Sequence, residues 1–436
     1  MTLTANVDQK TNTRRSLFAS VLGTSLESYD FYLYGTAASL YFTHVFFPNS
    51  DPATAAISSF LVFATAFLAR PLGAFLFGKL GDTVGRTTTL RYTLLLMGLA
   101  TAAIGLVPSH NTIGIVATLL LLFLRCLQGT ALGGEWGGSI LITTENEQNS
   151  QSIQPSKRDF YAAIPQIGSA IGTLASVGIF MLLNSMLSQQ QMLDFGWRIP
   201  FLLALPFTAF SMYIRLKVAE TQEFQQVQAK SFEPNIFKKL FTEHTREMVI
   251  AIAVSLLPIG SYFLLTTYTM NYGVNVLKLS ENNLLTASFI GSALQLFTIP
   301  FFGSLASRYG SQRIMLWGSI LTFAVALPLY WIMKSATLGT MIFCMILGGI
   351  FPTLCWAVLG GYMHHLFGVK IRYSALSIAY AIAAVITGFI PAITAWFGEV
   401  TSNAWWHPAV VLMLMSFIGI VGCLAAQKST PVSELD

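Results

Sequence analysis

Twelve apolar stretches, each of about 18 residues or more, dominate this chain of 436 residues. They cover residues 16–44, 53–79, 87–107, 112–142, 160–187, 196–216, 247–272, 283–305, 313–333, 337–366, 371–398 and 404–426. At about 1.5 Å of rise per residue, each is long enough to cross a hydrocarbon layer of roughly 30 Å. No water is available there to hydrogen-bond the backbone, so only helices and closed barrels can span it. A barrel would show short segments of alternating polarity. These runs are continuous, and the chain reads as an all-α membrane protein with twelve transmembrane helices in two pseudo-symmetric halves of six. The expected divisions are an N-terminal tail (1–15), a first half (16–216), a central polar loop (217–246), a second half (247–427) and a C-terminal tail (428–436).

Composition and charge support this. Hydrophobic residues make up 54% and charged residues 10%, too little charge to cover a soluble surface of this size. Of the 24 Lys and Arg residues, nineteen fall on the side shared with the N-terminus and only Arg198, Lys278 and Lys334 on the other. Arg70 and Arg125 stay within spans. That bias places both termini in the cytoplasm and the chain in a cell inner membrane as a multi-pass protein. The net charge of +5 is then a topology signal and not a nucleic-acid footprint. The N-terminal tail has no short apolar region with a cleavage site, so the first helix is expected to act as an uncleaved insertion signal. The four cysteines, Cys126, Cys344, Cys355 and Cys423, lie in apolar runs without metal-ligand spacing and read as small buried residues. There is no GxSxG, HExxH or Walker A motif. An enzyme or an ATP-driven pump is therefore not expected, nor is a metal or a cofactor; the proton gradient is the expected energy source. The expected partners are a small-molecule substrate, protons and the lipid bilayer, with the chain acting as a monomer.

Five ionisable residues interrupt the apolar runs: Glu27, Asp30, Arg70, Arg125 and Glu135. Each costs about 2.5–3.5 kcal/mol near a helix centre, and such residues face a wet cavity or one another. Glu27, Asp30 and Tyr34 fall within an arc of about 60° on the first helix. Glu27 lies roughly 17 Å into it, near mid-bilayer. Burial favours the neutral form of an acid, which makes Glu27, Asp30 and Glu135 candidates for proton coupling. A permanent pair of Glu27 with Arg70 or Arg125 is the competing reading. In the fourth helix Arg125, Gln128 and Glu135 share an arc of about 80°. Arg125 is near the midplane, where a guanidinium offers bidentate binding to a carboxylate; an ion pair with Glu135 is its rival. Gln128 and Arg70 join it as candidate substrate ligands, as does Tyr34. Gln166, Ser169 and Thr173 form a polar stripe on the fifth helix, suited to substrate contact or to hydrogen bonds between helices. The second half supplies aromatic candidates for the other wall, Tyr262, Trp356 and Tyr380, together with Gln295. Pro258 and Gly260, and Gly348, Gly349 and Pro352, mark expected kinks. His364 and His365 lie near a helix end and read as interfacial. Gly129, Gly133 and Gly137, like Gly134 and Gly138, are spaced by four and would let a neighbouring helix approach closely.

Two short stretches repeat at equivalent places in the halves. The first is Gly78-Lys-Leu-Gly-Asp82-Thr-Val-Gly85-Arg86, and the second is Gly303-Ser-Leu-Ala-Ser307-Arg-Tyr-Gly310-Ser-Gln-Arg313. The first resembles the loop 2–3 motif of the major facilitator superfamily. The resemblance implies that Gly78, Asp82, Gly85 and Arg86 latch one conformation without touching substrate, with Arg372 grouped beside them. Ser307 replaces the acid in the second copy, which predicts a weaker latch. Further motifs narrow the likeness: Leu26-Glu27-Ser28-Tyr29-Asp30-Phe31, Arg70-Pro71-Leu72-Gly73, Arg125-x-x-Gln128-Gly129 followed by Gly133-Gly134-Glu135-Trp136, Pro165-Gln166-x-Gly168 with Gly172, Trp197-Arg198-Ile199-Pro200-Phe201, and Arg372-Tyr373-Ser374. Together they resemble the metabolite:proton symporter branch, whose members carry shikimate, α-ketoglutarate, citrate, and proline or betaine. The sequence departs from the branch at Ser28, in its longer loop between the fourth and fifth helices, and in lacking the C-terminal coiled coil of osmosensing members. The resemblance implies alternating-access, proton-coupled uptake of a small carboxylate-bearing acid or zwitterion. An exporter of drugs or siderophore-like chelates on the same scaffold is the alternative. A sensor without transport would need a soluble domain that these loops are too short to hold.

Overall fold

A computed structural model describes residues 2–84, 86–133, 158–217, 240–368 and 371–427. Among them there is no strand. Twelve helical spans run in order: α1 (Thr2–Leu40), α2 (Pro52–Val84), α3 (Arg86–Leu106), α4 (Ile115–Ala131), α5 (Asp159–Met186), α6 (Gln189–Tyr213), α7 (Thr245–Asn275), α8 (Glu281–Tyr309), α9 (Ser311–Met333), α10 (Leu338–Leu366), α11 (Arg372–Val400) and α12 (His407–Gln427). Nine are long and apolar enough to cross a membrane by length and composition, and α3 and α4 contribute shorter apolar stretches. Glu27, Asp30 and many hydroxyl residues make α1 the most polar span. It begins at Thr2, so the segment read as a polar tail continues the first helix.

Local chemistry sets the helix ends. Asp51 precedes Pro52 at the start of α2, an acidic cap followed by a residue preset for the first helical turn. Hydrogen bonds from the Thr54 hydroxyl and amide hold the Asp51 carboxyl below its usual range. The Ser280 hydroxyl accepts from the Asn283 amide at the start of α8, and Thr337 with Thr340 forms a capping box on α10. Gly310 turns α8 into α9 at φ +87°, a conformation that favours glycine. α5 includes a 3₁₀ turn at Ile164–Gln166. α7 contains Pro258 and then a π-helical turn at Phe263–Tyr268, the kind of bulge that recurs at functional sites. α11 breaks at Phe389, one residue before Ile390-Pro391 restart it.

The halves pack alike. In the first, α1 lies against α5, α2 against α4, and α3 against α4 and α6; in the second, α7 lies against α11, α8 against α10, and α9 against α10 and α12. Two seams join the halves in the same paired way, α5 with α8 and α2 with α11, and α1 meets α7 on the axis between them. Glycines permit the tightest crossings. A Cβ at Gly129 would stand 1.8 Å from the Ala66 carbonyl oxygen of α2, and one at Gly172 would stand 2.4 Å from the Ser25 carbonyl of α1. The interhelical role read for the glycines of the fourth helix therefore holds for Gly129 and Gly133; Gly134, Gly137 and Gly138 lie outside the described residues.

Hydrogen bonds pin the halves together at both ends. Far from the N-terminus, Ser39 donates to the Thr267 carbonyl (2.7 Å) and Asn271 donates to the Ser39 carbonyl (3.1 Å). Tyr41 and Asn184 both reach the Glu281 carboxylate there, at 3.2 and 3.1 Å. At the other end the Phe160 amide donates to the Ser307 hydroxyl (3.1 Å), and His365 lies 3.4 Å from the Asp159 carboxylate. The residue that replaces the acid in the second glycine motif thus receives a backbone N–H from the opposite half.

Candidate functional site

A cleft lies between the halves, walled by α1 and α2 on one side and by α7, α10 and α11 on the other. Glu27 and Arg70 are the charged groups among its described lining residues. The Arg70 guanidinium donates to a Glu27 carboxylate oxygen at 2.9 Å. It also sits over the rings of Phe31 and Phe67, 4.7 and 5.2 Å from their centres. Their side chains are only 5% and 12% exposed, so each charge depends on the other: removing one member of a buried pair typically costs about 3–5 kcal/mol. Tyr380 lies within electrostatic reach of both. Tyr262, Trp356 and Tyr380 all line the cleft, in the place the sequence proposed for them. Tyr32 lines it too, with its ring centre 4.1 Å from that of Tyr262. Sequence reasoning chose Tyr34, about 20° from Glu27 around the helix, and passed over Tyr32, about 140° away; the cleft takes in an arc of α1 wide enough to hold both Glu27 and Tyr32.

The polar stripe of α5 links the halves across this space. Trp356 Nε1 donates to Ser169 Oγ at 3.0 Å, and Thr173 Oγ1 lies 2.5 Å from Tyr262 Oη. Of the two readings for the stripe, hydrogen bonding between helices describes Ser169 and Thr173. Gln166 is fully buried, neither of its amide atoms has a partner among the described residues, and it lines neither this cleft nor the one between α7, α8 and α10.

Asp30, Arg125, Gln128 and Tyr34 occupy a different place from the one expected of a cavity wall. They are buried inside the first half, among α1, α3 and α4. Arg125 donates to Gln128 Oε1 and to the Phe63 carbonyl, the latter at 2.8 Å. Its guanidinium lies 4.0 Å from the centre of the Tyr34 ring. The Gln128 amide nitrogen donates to Asp30 Oδ2, and the Thr101 hydroxyl donates to Asp30 Oδ1. One amide thus bridges a carboxylate and a guanidinium, accepting from the cation and donating to the anion. The physical reason is rotational: Thr24, Glu27, Ser28 and Phe31 turn one face of α1 to the cleft, and Asp30 points past the edge of that face toward α3 and α4. Gln128→Leu removes the bridge and leaves Asp30 with Thr101 and Arg125 with the Phe63 carbonyl. Its folded form in detergent is expected to be less stable by about 3 kcal/mol, read as a lower apparent melting temperature; Gln128→Glu, which keeps an acceptor for Arg125 but sets a second acid against Asp30, should recover little of the loss.

Glu135 lies outside the described residues, as do Gly85 and the side chains of Gly78, Asp82 and Arg86. Arg372 stands at the start of α11 and donates to the Phe367 carbonyl at 3.0 Å. Gln295 lines a second cleft, bordered by α7, α8 and α10 and sharing Pro258, Tyr262 and Trp356 with the first.

The sequence of this chain matches the model of the Major Facilitator Superfamily over residues 20–332 and 284–434. The chain belongs to the major facilitator superfamily. Curated relatives in this superfamily include the inner membrane metabolite transport protein YhjE of Escherichia coli (strain K12), 35% identical over 390 residues covering 87% of each chain. The shikimate transporter of Escherichia coli (strain K12) is 33% identical and covers 95% of each chain. A proline/betaine transporter of Salmonella typhimurium is also 33% identical, over 95% of this chain and 84% of that protein. Among solved structures, the major facilitator proton:xylose symporter XylE bound to 6-bromo-6-deoxy-D-glucose superposes with a TM-score of 0.73 over 97% of each chain, at 16% identity. This is the twelve-helix major facilitator fold. The protein is a multi-pass membrane transporter of the metabolite-transporting kind, not an enzyme.

Proposed function

We propose that this transporter takes up a small carboxylate-bearing metabolite together with a proton, and that Arg70 and Glu27 are the groups that exchange them. The observation that carries this reading is the closed ion pair in the cleft between the halves. Arg70 is held by a carboxylate already. A substrate carboxylate can replace Glu27 on the guanidinium only if Glu27 does not remain behind as an uncompensated buried anion. Protonation of Glu27 meets that condition: the proton neutralises the displaced acid while the substrate neutralises Arg70. Neither event is favourable alone, so the two are coupled. Aromatic rings around the pair exclude water and strengthen the exchange. Asp30, bound by Thr101 and bridged to Arg125 through Gln128, serves this reading as a fixed charge that sets the position of α4 against α1. Shikimate, proline and betaine, named for the relatives, all bear a carboxylate. The Lys and Arg distribution supports both termini in the cytoplasm of a cell with a proton gradient across its inner membrane, and a monomer suffices because the cleft is built within one chain.

The decisive experiment separates binding from coupling. In proteoliposomes, Glu27→Gln is expected to retain carboxylate exchange between inside and outside, within about threefold of the parent, and to lose accumulation driven by an imposed pH gradient. Full gradient-driven accumulation by Glu27→Gln would remove Glu27 from the mechanism, and with Arg70→Gln equally active the proposal would fail altogether.

A further inference from the structure

The second cleft differs in chemistry from the first. No charged side chain lines it among the described residues; hydroxyl and amide groups do. Ser288, Ser292 and Gln295 follow one face of α8 at i, i+4 and i+7, and Gly291 between them lines the cleft where α8 comes close to Met345 of α10. Thr353 of α10 and Ser261 and Tyr262 of α7 complete the polar wall. Ser288 is 4% exposed, and its hydroxyl has no hydrogen-bond partner. Burying a hydroxyl without a partner is unfavourable, so the wall is suited to a ligand that supplies the missing bond. An apolar ligand would strand these groups. Among the described residues a quaternary ammonium would find no carboxylate here, and only Tyr262 and Trp356 as aromatic neighbours, too few to surround it. Because Pro258, Tyr262 and Trp356 belong to both clefts, the two spaces share a wall.

We propose that the second cleft recognises hydroxyl groups of the transported molecule, so that the substrate is a hydroxylated carboxylic acid with its carboxylate on Arg70 and its hydroxyls on Ser288, Ser292 and Gln295. This rests on the assignment of Arg70 as carboxylate ligand and specifies the rest of the substrate. Selectivity follows from the same groups. A site that hydrogen-bonds a ligand hydroxyl discriminates strongly against an analogue without it, because its own polar groups are then left unpaired. A hydrocarbon carboxylate reaches Arg70 but leaves the Ser288 hydroxyl unsatisfied.

The test uses full-length protein in nanodiscs and tryptophan fluorescence, with Trp356 on the shared wall as an intrinsic reporter. Three probes are titrated: shikimate, cyclohexanecarboxylate and glycine betaine. The expected result is shikimate binding at least tenfold tighter than the other two. Gln295→Leu and the double variant Ser288→Ala, Ser292→Ala should each reduce that preference at least fivefold while leaving cyclohexanecarboxylate within twofold, which also reports that the variants are folded. Arg70→Gln should weaken both carbocyclic acids together. Equal affinity for shikimate and cyclohexanecarboxylate, tightest binding of glycine betaine, or α8 variants that weaken every probe alike would overturn the hydroxyl site and leave the Arg70 reading intact. Unchanged carboxylate binding in Arg70→Gln would instead overturn the Arg70 reading on which the site depends.

Discussion

Arg70→Gln is expected to reduce carboxylate uptake in proteoliposomes at least about 100-fold. Two charge-assisted hydrogen bonds from a guanidinium to a carboxylate contribute about 1.5–3 kcal/mol each, and about 2.7 kcal/mol already corresponds to a factor of 100. The loss should not be simple. Without Arg70, Glu27 has lost the 2.9 Å partner through which the proposed exchange ties proton to substrate. Residual exchange should therefore become insensitive to the pH gradient. Arg70→Lys keeps the charge but loses the planar, two-pronged donor and the stacking on Phe31 and Phe67; an intermediate loss of about tenfold is expected. The double variant Glu27→Gln, Arg70→Gln separates stability from transport. Removing both members of a buried pair costs less than removing one, so its melting temperature should lie above that of Arg70→Gln, while its uptake stays at background. Uptake by Arg70→Gln within a few fold of the parent would show that the carboxylate is held elsewhere.

Gly129→Leu is expected to give no monodisperse protein after detergent extraction, measured by size-exclusion chromatography of a fluorescent fusion. Even the first side-chain carbon would come within 1.8 Å of the Ala66 carbonyl oxygen, and a Cβ at Gly133 would stand 2.2 Å from the Ala74 amide nitrogen. These neighbours are backbone and cannot rotate away, so α2 and α4 must separate. α2 carries Arg70, and α4 carries Arg125 and Gln128, so separation also disturbs the cleft pair and the amide bridge. Gly129→Ala should already lower the folded yield several-fold. Gly339→Leu is the control: nothing lies within 4 Å of a Cβ built there, and its elution profile should match the parent. A normal profile for Gly129→Leu would mean that the crossing is looser than 1.8 Å implies.

Hydropathy made the spans legible because lipid imposes so few backbone solutions. The glycine seam of α4 was legible for a related reason: a spacing of four places small residues on one helix face whatever the fold. Angles along a single helix were reliable only relative to one another. They placed Asp30 near Glu27, but the absolute rotation of α1 is set by its packing on α5, α2 and α7, and that rotation sends Glu27 to the cleft and Asp30 to Thr101 and Gln128. The same limit hid the surroundings of Arg125, whose partners Phe63 and Tyr34 come from two other helices. Ser288 and Ser292 went unnoticed because hydroxyl residues are common in membrane helices and carry no conspicuous cost there. The π turn of α7 has no marker beyond the nearby Pro258.

The first cleft holds one cation and one anion, and the second-half walls of both clefts carry no charged side chain among the described residues. Under the proposed exchange, a monoanion enters with one proton and the electrical sum in the cleft does not change. A charge crossing the whole membrane would gain or lose about 2.3 kcal/mol per 100 mV; this cargo crosses as a neutral package. Voltage then performs no work on it, and the steepness of accumulation is set by the difference in acidity between the two compartments alone.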